Sequence, residues 1–92
     1  MKLDLNVERV INATIAKYKK ECQRIMIFKT RRSDQVCIES KKQIDSIVEI
    51  IFNEIAIECK RFSIKAIKGY ISKNSECGYI YNIYFESIRE QV

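Results

Sequence analysis

The side chains in this chain with the clearest chemical capacity are cationic. Arg9, Lys29, Arg31, Arg32, Lys41 and Lys42 stand near the starts of two predicted helices and the end of a predicted strand, and Lys73 lies in a predicted turn. Guanidinium and ammonium groups in such positions contact phosphates, and amides at helix N-termini add anion-binding donors beside them. Brought together at one edge, these residues would form a nucleic-acid-binding site; dispersed, they are a solvated basic surface. Lys41 and Lys42 oppose the dipole of the helix they precede, a conflict a bound polyanion would relieve. The chain has 17 Lys plus Arg against 12 Asp plus Glu, a formal charge of +5. The field of such a domain favours polyanions, nucleic acid first and an acidic protein surface second.

Tyr79, Tyr81, Tyr84 and Phe85 interleave with isoleucines near the C-terminus. Aromatics on a strand can stack against bases, but beside an apolar helix they are more often interior, so core packing is the favoured reading, and Tyr70 on the facing strand is undecided in the same way. Catalysis finds no such footing. There is no histidine for proton transfer and no glycine-rich phosphate loop. Asp45 with Glu49, and Glu54 with Glu58, have the spacing of ordinary helix-surface pairs. Cys22, Cys37, Cys59 and Cys77 lie far apart without a Cys-x-x-Cys pair, so no metal or other cofactor is expected. Cys22 and Cys59 continue apolar helix faces and read as core. The chain is expected not to be an enzyme.

These residues need positioning elements. At 92 residues and 47% hydrophobic content the sequence suits a single α/β domain over residues 1–92. No apolar stretch reaches the ~20 residues of a membrane span and no signal peptide is visible, so an intracellular protein, cytoplasmic or nuclear, is expected. Met1 to Leu5 alternates at period two, a short strand, and Asn6 offers a helix cap. Val7, Val10, Ile11, Thr14, Ile15 and Tyr18 mark one stripe of a first helix running to about Glu21. Arg24 to Thr30 reads as a strand buried on both faces and central in the sheet. The polar stretch after it reads as a loop, although Val36-Cys37-Ile38 could return as a hairpin.

Ser40 to Gln43 matches a capping box opening a second helix, with Ile44, Ile47, Val48, Ile51, Phe52 and Ile55 as its stripe. Ile50 and Ile57 exceed what one sheet face needs and could meet a partner chain. Phe62 to Ser72 and Tyr79 to Ile88 form a terminal hairpin, with Gly69 marking a bulge or bend. The preferred order is βαβαββ, a two-layer domain with a four-stranded mixed sheet and two helices. The alternative is αββαββ, in which Arg24 to Thr30 pairs with Gln35 to Ile38.

Val10-Ile11-Asn12-Ala13 is similar to Val-Met-Asn-Tyr, and Lys42-Gln43-Ile44-Asp45-Ser46-Ile47 to Lys-Ala-Val-Asp-Thr-Val, in the two helices of the Alba family of small chromatin and RNA-binding proteins. Ile25-Met26-Ile27-Phe28-Lys29 precedes Arg31-Arg32 much as that family's second strand leads into a basic loop. The resemblance implies the βαβαββ order and binding of RNA or DNA with little sequence specificity. It extends to a ribonucleoprotein subunit like the Alba-type subunits of ribonuclease P. The expected function is nucleic-acid binding by a homodimer or heterodimer, joined through a sheet edge or the second-helix surface. The alternative is a protein-interaction module, such as a small regulator or phage-type inhibitor, whose basic residues occupy an acidic partner.

Overall fold

Burial alternates along the strands, which places one face of the sheet on the helices and leaves the other to solvent. The computed structural model describes residues 1–74, 76 and 78–88. Two helices and five strands follow the order α1 (Leu5–Tyr18), β1 (Arg24–Lys29), β2 (Asp34–Ser40), α2 (Asp45–Lys60), β3 (Ile64–Lys68), β4 (Ser72–Asn74) and β5 (Gly78–Ser87). All pairings are antiparallel, in the spatial order β1-β2-β5-β3, with β4 also on β5. β2 and β3 both oppose β5, so they run parallel to each other through α2 with β5 inserted between them, a split βαβ unit.

The α/β two-layer class is as expected, but the order of elements follows the alternative with one more strand. Arg24 pairs with Glu39 and Lys29 with Asp34 across a tight hairpin. β1 is therefore an edge strand with one buried face, where a central strand buried on both faces was expected. The βαβαββ order implied by the Alba resemblance required an N-terminal strand. Met1 to Leu3 forms none: Met1 O accepts from Asp34 N (2.9 Å), and Leu3 N donates to the Asp34 carboxylate (2.8 Å). The segment is extended but bonds partly to a side chain, so no ladder propagates.

Asp4, rather than Asn6, caps α1, its Oδ1 accepting from Val7 N at 3.0 Å. The capping box at Ser40 also fails. Ser40 ends β2, its Oγ accepts from Lys42 N, and α2 starts at Asp45. Tyr81 Oη instead accepts from Ile44 N (3.1 Å) and donates to Asp45 (2.8 Å), tying the helix start to the central strand.

The core lies between the helices and the inner sheet face, with Val7, Ile11, Ile15, Val48, Ile51 and Ile55 meeting Val36, Ile38 and Ile83. Cys22 and Cys59 belong to it as expected, while Cys77 lies outside the described residues. Burial pushes the Cys59 thiol up to about 11, so it stays protonated at neutral pH. Gly69 N donates to Asn82 O (2.8 Å), yet Ser72 pairs with Ile80, so Tyr70 and Ile71 together oppose Tyr81. That is the β-bulge expected at Gly69. Among the described residues no helix is long and apolar enough to cross a membrane.

Candidate nucleic-acid interface

Between β1 and β2 the chain reverses in Thr30-Arg31-Arg32-Ser33. Thr30 N donates to Ser33 O (2.8 Å), and Thr30 Oγ1 donates to that oxygen while accepting from Ser33 N (3.0 Å). Lys2 Nζ donates to Thr30 O (2.8 Å) and to Asp34 Oδ1 (2.5 Å), bracing the turn from the N-terminus. With the flanking residues bonded to each other, Arg31 and Arg32 stand exposed at the tip, and neither makes an ion pair with a described residue.

Of the other expected cations, Arg9 lies exposed on α1 beside Glu8, and the Glu8 carboxylate grips Lys29 of β1 at 2.5 Å. That hydrogen bond raises the pKa of Lys29, so the ammonium serves the fold as much as any ligand. Arg9, Lys29, Arg31 and Arg32 thus share one end of the molecule. Lys41 and Lys42 follow the far end of β2, around a shallow groove with Lys20, Glu21 and Gln23. Lys73 lies 5.8 Å from the ring centroid of Tyr79, which pairs with Ser40, so it belongs to the Lys41 end. The expected convergence of both helix starts does not occur, because α2 begins at the opposite end from α1. The length of β2, about 20 Å, separates the two basic groups.

The helix-free face of the sheet joins them. Arg24, Met26 and Phe28 of β1, Gln35, Cys37 and Glu39 of β2, Ile80, Asn82, Tyr84 and Glu86 of β5, and Lys65 and Ile67 of β3 occupy it by alternation with the buried set. Phe28 pairs with Gln35, Tyr84 pairs with Ile67, and Gln35 and Tyr84 lie one step beyond the Val36–Ile83 pair. Phe28 and Tyr84 therefore share one cross-sheet row, two strand spacings or about 10 Å apart, and are 46% and 42% exposed. The Tyr84 ring packs against Gly69, where any Cβ would collide with it. The row ends beside the Arg31-Arg32 turn.

Of the aromatic series expected on the last strand, Tyr81 and Phe85 are core, Tyr79 is half-buried on the same inner side, and Tyr84 alone faces solvent. Tyr70, at the bulge, is 96% exposed. The sequence alone did not single out Phe28 as exposed on this face, because an apolar residue at every position of Ile25 to Phe28 hides which face is wet. Arg24 before the run and Lys29 after it were the available signals of an edge strand. Cys37 sits among these residues with its thiol pKa raised by burial and by Glu39. Compared with known protein families, curated proteins and solved structures, the chain matches none.

Proposed function

We propose that this domain binds single-stranded nucleic acid across the helix-free face of its sheet. Phe28 and Tyr84 stack against bases there, and Arg31 and Arg32 hold the adjoining phosphates. The observation that carries this reading is the row of two exposed aromatics ending at a braced turn whose two guanidiniums form no ion pair with a described residue. Base stacking tolerates any sequence, and an open antiparallel sheet presents π-faces without excluding the backbone. The net charge of +5 supplies the attraction. Free thiols at Cys22, Cys37 and Cys59 suit a reducing, intracellular compartment.

Fluorescence anisotropy of labelled single-stranded and duplex RNA and DNA across a salt series tests the proposal. Single strands should bind with a log-linear salt dependence. The double variant Arg31→Glu/Arg32→Glu should lose at least about tenfold and flatten the slope. Phe28→Leu and Tyr84→Leu, which keep apolar packing but remove the π-face, should each lose about five- to a hundredfold at unchanged slope. Absence of salt-dependent binding, or indifference to charge reversal, would sink it. A second reading rests on α2, where Ile50 and Ile57 are 52% and 66% exposed. Such a helix face suits a protein partner and makes the domain one subunit of a ribonucleoprotein.

A further inference from the structure

The two free edges of the sheet differ. β3 is short, carries Lys65 and Lys68, and runs into the Gly69 bulge, all devices that keep an edge from pairing with another chain. β1 confines its charges, Arg24 and Lys29, to its two ends and has no bulge. All its residues pair regularly with β2, and Ile25, Met26, Ile27 and Phe28 form an unbroken apolar run between Arg24 and Lys29. Among the described residues no strand lies beyond it. A regular, apolar, uncovered edge is where a sheet extends.

The sequence of β1 is also complementary to itself in one register. Pairing Met26 with its own copy sets Ile25 against the partner's Ile27 and Arg24 against the partner's Phe28, with no like charges opposed. Shifting by one residue sets Arg24 against the partner's Lys29, twice by symmetry, which cross-strand pairing disfavours. Shifting by two sets Ile25 against the partner's Lys29. Shifts the opposite way oppose no like charges but pair only four residues of each strand, or three, against five in the Met26 register. The fullest pairing without conflict is therefore centred on Met26, and the occupant that fits this edge is a second copy of the chain.

We infer that β1 pairs antiparallel with β1 of a second copy about a two-fold axis at Met26, and that the partner thereby completes the nucleic-acid face. Directly opposed residues share a face, so both helix layers lie on one side and both open faces on the other. The partner's Arg24 comes beside the ring of Phe28, placing a guanidinium next to the stacking surface. The pairing also carries the Arg31-Arg32 turn up to the partner's 19–23 loop, so basic groups that a single chain holds at opposite ends become neighbours. What the shared face binds rests on the reading above; the dimer itself does not.

Sedimentation equilibrium without nucleic acid tests the pairing against a chain mass of 10.9 kDa. A reversible doubling of mass is expected, and Met26→Lys, which sets two ammonium groups against each other, should weaken it about tenfold. Met26→Cys in a Cys37→Ser background should form an intermolecular disulfide under mild oxidation. Opposed antiparallel Cα atoms lie about 4.5–5.5 Å apart, within disulfide reach. Cys37 must be replaced because it opposes Met26 within the same chain. Ile67→Cys in that background, on the protected β3 edge, should stay unlinked. The mass of one chain throughout the concentration series, or equal trapping at residue 67, overturns the pairing.

Titration of the trapped dimer and the Met26→Lys chain with labelled single-stranded RNA then tests the shared face. The added lysine by itself favours a polyanion, so tighter binding by the trapped dimer supports completion by the partner. Binding no tighter than that of the Met26→Lys monomer overturns the shared face and leaves the dimer and the single-chain reading standing. Absence of binding by either form overturns the nucleic-acid reading and the shared face with it.

Discussion

Asp34 is 2% exposed, yet it carries a charge beside the Arg31-Arg32 turn. Burial alone would raise its pKa, but the Lys2 ammonium, the Leu3 amide and the charge of Lys29 together draw it below its ordinary value of 3.8. A carboxyl with a depressed folded-state pKa contributes stability that is fully present above its unfolded value. That contribution is lost as pH falls through the lower folded value. Asp34→Asn should therefore flatten the acid limb of a urea-midpoint-against-pH curve below about pH 4. Asp34→Ala should cost about 2–3 kcal/mol at neutral pH, chiefly by leaving the Leu3 N–H unpaired. Lys2 is half exposed and adds little as an ion pair. Nothing in the residue order marked Asp34 for this role, since an aspartate after Arg31-Arg32-Ser33 reads as a loop residue. Its partners are 31 and 32 positions away. The arginines were legible because charge and exposure go together, whereas Phe28 needed the sheet to show which of its faces is open.

The β1–β2 hairpin holds the arginine pair in place as an element. Thr30→Val keeps the shape of the side chain but removes the hydroxyl that bonds Ser33 twice. The expected cost is about 1 kcal/mol of stability by chemical denaturation. Oligonucleotide affinity should fall with the salt slope unchanged, because both guanidiniums remain and only their fixed spacing is lost. A change in slope would mean that the hydroxyl acts through charge placement rather than through turn rigidity. The helices were readable from period alone: Val7, Ile11 and Ile15 in α1, and Val48, Ile51 and Ile55 in α2, are buried at helical spacing. Gly69 was readable as a bulge because glycine has little other reason to interrupt a strand. Strand pairing was not. Arg24 to Lys29 has the same local pattern whether it crosses over to a parallel neighbour or turns back through Thr30 to Ser33. The choice lies in the long-range fit of Val36 and Ile38 against β5.

At the scale of the molecule, that fit makes β5 the common neighbour of β2, β3 and β4. Ile83 is fully buried and pairs with Val36 on one side and Lys68 on the other. Ile83→Ala should cost about 3–4 kcal/mol, more than Ile25→Ala at the sheet edge. The loss should appear as one transition, coincident by far-ultraviolet circular dichroism and tyrosine fluorescence. Two transitions would mean that the β1–β2 hairpin and the α2–β3 unit melt separately. The two-layer class was legible from composition and helix count, and the position of the last strand at the sheet centre was not, because insertion between β2 and β3 leaves no trace in local pattern. It does leave one in the order of synthesis. A ribosome delivers the two flanks of this sheet before the strand that belongs between them. Until Gly78 to Ser87 emerge, Val36 and Ile38 on one flank and Ile64 and Ala66 on the other have no strand to join them. The nascent chain therefore reaches a closed core only after β5 is out, and until then it depends on whatever in the cell shields incomplete sheets.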